Sequence, residues 1–217
     1  GAGEMDKMRA LVIRSAKFNV LMTLVFAIPL ALELPEVMRL WLKTPPRYAV
    51  ELCWFAMLIH LLNCCVTSHH TAIYATARIA SYNVVNCIVS ALTIGCAALV
   101  GLAMRSVYAV MCVFAVFMGI NSLVRLLYAQ RLVGVRIWPW IWDVCVKTGV
   151  ITLISASAGM VPRLFMAASF NRVVVTTFFC EACFIPMLWL ALSSVERQFV
   201  YDKILAKVIA KFRMGRT

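Results

Sequence analysis

The chain has 217 residues, of which 64% are hydrophobic and only 14% charged, and it carries a formal net charge of +12. A soluble domain averages about 45–50% apolar and about 25% charged residues, so a single water-facing core cannot hold the surplus. The composition leaves an all-α, polytopic membrane protein. Its basic residues lie mainly between apolar runs, so they read as topology and lipid-headgroup charges rather than as a nucleic-acid surface.

Residues 1–17, with Met5, Met8, Leu11 and Val12 on one helical face, read as an amphipathic lead-in. The first span is expected over Phe18 to Leu34, with Pro29 introducing a kink. LPEVMRLWLKTPPRY then reads as a polar loop anchored at a headgroup level by Trp41 and Tyr48. The second span is expected over Ala49 to Val66, the third over Ser81 to Met104 and the fourth over Val107 to Tyr128. The stretch from His60 to Tyr82, rich in His, Asn and Arg, is expected to turn at a membrane face because hydrocarbon excludes such groups.

A fifth span is expected over Ile141 to Val161, opening on Asp143 and Lys147, whose i,i+4 spacing lets them pair. The sixth runs from Asn171 to Ser193, with Glu181 near its middle and Pro186 as a second kink. Residues 194–217 read as a basic amphipathic tail with Lys203, Lys207 and Lys211 stepping along one face. The expected organisation is thus a lead-in (1–17), a six-helix transmembrane bundle (18–193) and an in-plane tail (194–217). With six spans, fifteen of the 21 Lys and Arg fall on the face carrying both ends, so positive-inside bias predicts that both ends are cytoplasmic.

Candidate functional residues are those hydrocarbon would reject. Glu181, close to the middle of a span, should face protein or water and suits a proton or cation site or a polar pathway. His60 and Asn63, spaced i,i+3, should share an inward face, and Asn121 and Arg125, spaced i,i+4, should share another. Arg125 either snorkels to headgroups or binds an anionic lipid diphosphate. Interhelical hydrogen bonding is the plainer use of the asparagines. The nine cysteines lie in or beside apolar runs, which suits small packing residues and not a disulfide framework. Cys180 and Cys183 form a lone CxxC without further ligands, and the adjacent His69 and His70 point about 100° apart on a helix, a poor chelate. No metal site, cofactor motif or catalytic nucleophile–base pair is read.

Several landmarks recur in one order. The stretch TAIYATARIASY (71–82) resembles the AxATGKIKxYQ turn of bacterial O-antigen and capsular polysaccharide flippases of the MOP superfamily. Ala77 stands where that turn carries Gly, and Asn83 where it carries Gln. Gly1-Ala2-Gly3-Glu4 before Met8 is similar to their acidic glycine motif, and RLWL (39–42) with Pro46 and Tyr48 to their LKLWLG–PxY loop. RLL (125–127) and ERQF (196–199) are similar to the ends of later spans.

The resemblance implies the C-terminal part of a MOP/MATE-like transporter of the bacterial inner membrane, with an N-terminal lobe preceding it. It implies movement of an undecaprenyl-diphosphate-linked glycan between leaflets by alternating access, with membrane lipid as the other partner and no enzymatic step. Glu181, His60, Asn63, Asn121 and Arg125 would line the substrate pathway. A multidrug–cation antiporter of the same superfamily, coupled through Glu181, is the first rival. A membrane-embedded lipid-modifying enzyme, for which His69-His70 is the only candidate, is the second, and a non-catalytic scaffold subunit the third.

Overall fold

A computed structural model describes the backbone of residues 2–200 and the side chains of residues 4–198. The chain is a bundle of six long helices, each long and apolar enough to cross a membrane. They are α1 (Ala2–Leu42), α2 (Ala49–Ala75), α3 (Ala80–Met104), α4 (Val107–Val133), α5 (Ile137–Phe165) and α6 (Phe170–Ala191). A short helix, α7 (Ser194–Val200), follows, and no strand occurs among the described residues. The rest of the expected basic tail, 201–217, lies outside the described residues.

The helix α1 is the centre of the bundle. In its apolar window 44% of residues are buried, against 6% in α3 and in α4. Ala16, Val20, Leu21, Leu24 and Ile28 of α1 form one cluster with Cys64 and Val66 of α2, Trp140, Val144 and Ile151 of α5, and Cys180 and Phe184 of α6. α2 continues onto α4, and α3 packs mainly on α4, as an arm leading away from α1. The described structure is therefore a core of α1, α2, α5 and α6 with α3 and α4 as an outer pair.

Several expected boundaries move. The lead-in, the first span and most of the following loop are one continuous helix of 41 residues, α1. Pro29 and Pro35 both lie inside it without ending it. A proline deprives the carbonyl four residues earlier of its donor. For Pro35 that carbonyl belongs to Ala31, and it accepts instead from the Trp54 indole nitrogen of α2 at 2.9 Å. The helix stops only at Lys43, whose φ of +56° leads into Thr44-Pro45-Pro46.

The His60 to Tyr82 stretch is likewise mostly helix, since α2 runs on to Ala75 and the turn is confined to 76–79. The helix continues although not every polar group in it is satisfied: Asn63 accepts from Arg125 of α4, while the buried His69 ring nitrogens have no partner among the described residues. His69 lies edge-on to Trp140 with ring centroids 5.6 Å apart, and His70 packs on Tyr74 and Tyr82 at 4.6 and 5.7 Å. α4 also outlasts its expected end, closing at Gly134, whose φ of +75° and N–H bonds to Ala129 O and Gln130 O make a left-handed cap. α5 starts at Ile137, earlier than expected, and passes through a π-helical turn, Ile141–Val146, in which Asp143 and Lys147 pair as their spacing predicts.

Candidate functional site

The membrane slab can be located from two ion clusters on α1. Lys17 and Glu33 are 16 residues apart, roughly 24 Å along a helix, and no charged residue lies between them. That interval is close to the ~30 Å hydrocarbon thickness of a bilayer.

At one end, Lys17 Nζ lies 2.5 Å from Glu196 Oε2 and 3.3 Å from the Ala191 carbonyl, and Arg14 approaches Glu196 at 3.7 Å. The Ser193 backbone N–H also donates to Glu196 at 2.7 Å. Burial pushes the Glu196 carboxyl up, but the Lys17 and Ser193 hydrogen bonds outweigh it and hold the carboxyl below its usual range.

At the other end, Glu33 is 1% exposed. Arg172 of α6 grips its Oε2 through Nη2 at 2.8 Å and Nε at 3.2 Å, Thr176 donates to its Oε1 at 2.9 Å, and Arg163 of α5 lies 3.7 Å away. Sequence reasoning missed this cluster. Glu33 is one residue from the expected end of a span, and both arginines read as loop charges. Three ionisable groups at three helix ends on one face were the available signal.

Between the clusters, α1 presents a ridge, with Phe26 74% exposed and Leu30 38%. A cavity of 400 Å³ lies on the α2 side of it, lined by Met22, Thr23, Met57 and His60 as well as the ridge. A second cavity, of 470 Å³, lies on the α6 side, lined by Pro29, Val173, Thr177 and Glu181. Phe26 and Leu30 line both. His60 and Glu181, 121 positions apart in sequence, thus lie on opposite sides of the α1 ridge, each in its own cavity. Glu181 has no hydrogen-bond or ion-pair partner among the described residues and is partly buried. Pro29, which lines the same cavity, leaves the Val25 carbonyl without its donor four residues on, and Val25 lines the cavity beside Glu181.

The other expected residues gather elsewhere. Asn63 and His60, one turn apart on α2, take different partners. Asn63 accepts a 2.6 Å hydrogen bond from Arg125 Nη1 of α4, while His60 turns to Cys64, with Nε2 3.5 Å from Sγ. The Arg125 guanidinium is therefore tied to a residue in the middle of α2. Arg125 Nε and Asn121 Oδ1 are buried and have no partner among the described residues. Pro186 lies inside α6, which continues past it. Of the expected pathway set, Glu181 and Pro29 share one cavity, His60 lines the other, and Asn63 meets Arg125 between α2 and α4.

His69 is buried at 1% exposure, away from any open face. Cys180 is buried where Gly159 lets α5 and α6 meet closely, since a Cβ on Gly159 would stand 2.3 Å from Cys180 Sγ. Among the described residues no three His, Cys, Asp or Glu side chains converge on one point.

These features define a polytopic helical membrane protein. Comparison of the chain with protein-family models finds no match, and neither does comparison with curated proteins or with solved structures.

Proposed function

We propose that the chain is the C-terminal lobe of a transporter that moves a lipid-linked, anionic oligosaccharide across the bacterial inner membrane by alternating access, with both ends of this lobe cytoplasmic. The carrying observation is the pair of cavities flanking the α1 ridge, with His60 in one and Glu181 in the other. A sugar-bearing headgroup cannot cross hydrocarbon unaided, and polar groups turned to a concave face of a bundle are what such a passage requires. The preceding lobe would close over this face.

Two further observations support the reading. Arg125 is held by Asn63 inside the bundle, where its Nε is buried without a partner among the described residues. Ala77 has φ of +58°, the left-handed backbone that favours glycine, at the position where the resembled turn carries Gly. The lipid-modifying enzyme is less well supported, because His69 is packed on Trp140 and His70 stacks among tyrosines. The cation antiporter remains the second reading, on the strength of Glu181 beside Thr177 and the Val25 carbonyl in one cavity.

The test is export of the surface glycan by cells whose full-length protein carries Glu181→Gln, His60→Ala or Arg125→Ala, with protein levels matched. Loss of export with accumulation of the lipid-linked precursor in the inner leaflet is the expected result. Normal export in all three variants would overturn the pathway, and a lipid-modification defect without precursor accumulation would favour the enzyme.

A further inference from the structure

The cavity on the α2 side of the ridge is lined by two thioethers. Met22 of α1 and Met57 of α2 both line it beside His60. One turn on, Cys64 places its Sγ 3.5 Å from His60 Nε2 and 3.4 Å from Thr23 Oγ1. Met57, His60 and Cys64 fall at i, i+3 and i+7, so they share a stripe of α2 facing α1.

Two thioethers, one imidazole and one thiol are a soft ligand set without a carboxylate. Thioether ligands point to Cu(I), since zinc sites take Cys, His and carboxylate ligands and magnesium or calcium sites require oxygen. With metal–sulfur and metal–nitrogen bonds of about 2.3 and 2.0 Å, ligands at a trigonal angle stand about 3.7 Å apart. The Cys64–His60 separation of 3.5 Å is near that bite. Charge favours the same ion. One thiolate and one Cu(I) make a neutral centre, which a low-dielectric site tolerates, while a divalent ion there would leave net charge buried. His60 is exposed and supplies the entry path.

We infer that Cys64, His60, Met22 and Met57 form a Cu(I) site between α1 and α2, with Cys64 buried beneath the cavity that the other three line. Binding replaces the Cys64 S–H bond with an S–Cu bond and releases the proton to solvent. The copper enters and remains as Cu(I), so no electron is transferred. His60 supplies the nitrogen ligand, and the flexible thioethers of Met22 and Met57 complete the shell. Sequence spacing yields only the α2 half of this set, and packing of α1 on α2 adds Met22.

The test is anaerobic titration of the purified full chain in detergent with the Cu(I)–bicinchoninate complex, followed by X-ray absorption at the copper edge. A single copper taken from the competitor, with sulfur and nitrogen neighbours, is expected. Cys64→Ser should abolish this uptake, and the volume-conserving pair Met22→Leu and Met57→Leu should weaken it at least tenfold while leaving the helical circular dichroism unchanged. Cys180→Ser, remote from the cavity, should bind as the wild type does. The inference is overturned if the wild type takes no copper from the competitor, or if uptake survives Cys64→Ser. It is also overturned if the methionine pair, folded, binds copper as the wild type does, and that arm decides the question should Cys64→Ser fail to fold.

Discussion

The Trp54 indole N–H supplies Ala31 with the hydrogen bond that Pro35 withholds, at 2.9 Å across the α1–α2 contact. A helix-breaking residue thereby becomes a docking point, because the carbonyl it frees is the one α2 recognises. Trp54→Phe should destabilise the bundle by about 1 kcal/mol, the net value of a typical hydrogen bond. In a Pro35→Ala background, where the backbone amide returns, the same change should cost markedly less. Thermal unfolding of the four variants in detergent gives the coupling directly, and equal costs in both backgrounds would refute this account of Pro35.

Glu33 should be among the least replaceable residues of the bundle. Glu33→Gln leaves Arg172 with its charge only partly shared by the amide. Removing one partner of a buried pair costs about 3–5 kcal/mol, because the other charge is left uncompensated. Arg172 is 14% exposed by its side chain, which lowers the expected cost toward the small end of that range. Thr176→Val, removing only the neutral donor to Glu33 Oε1, should cost about 1 kcal/mol. Chemical denaturation in mixed micelles would rank the two, and a larger loss for Thr176→Val would contradict the charge argument.

The cluster at the opposite face should give the stability a pH dependence. Glu196 has a folded pKa below its unfolded value of about 4.3. Its contribution is therefore fully present above the unfolded value and is lost as pH falls through the folded one. Melting temperature should hold from neutral pH down to about 5 and then decline. Glu196→Gln should lower the neutral plateau and flatten that acid limb. An unchanged acid limb in the variant would assign it to other carboxylates.

Ala77 offers a stabilising change. Its φ of +58° places an L side chain in the left-handed region, which costs roughly 1–2 kcal/mol relative to relaxed backbone. Ala77→Gly removes that cost but adds freedom to the unfolded chain, leaving a net gain of about 0.5–1 kcal/mol. A fall in melting temperature would show that the turn at 76–79 does not hold this backbone.

Gly159 works in the other direction. A methyl there would stand 2.3 Å from Cys180 Sγ and 2.7 Å from Leu32 Cδ1. Gly159→Ala should push α5 from α6 and cost about 1–3 kcal/mol, the usual range for overpacking. Cys180→Ala in the same chain should recover part of it by removing the nearer obstacle, whereas full additivity of the two losses would mean that the helices do not meet at this point.

The sequence by itself determined that there are six spans and roughly where they lie, because apolar runs of bilayer length are a property of composition that no partner can alter. It also singled out Glu181, His60, Asn63 and Arg125, since ionisable and amide groups stand out against hydrocarbon. It misplaced the ends of α1 and α2. Whether Pro35 ends a helix depends on a group from another helix, here Trp54, and local pattern carries no record of that group. Only the tertiary structure decided that α1 is the hub, that Asn63 turns to Arg125 while His60 turns to Cys64, and that Glu33 draws Arg163 and Arg172 inward. The reason is that one residue's neighbours across a helix interface depend on relative rotation and depth of two helices, and hydropathy fixes neither.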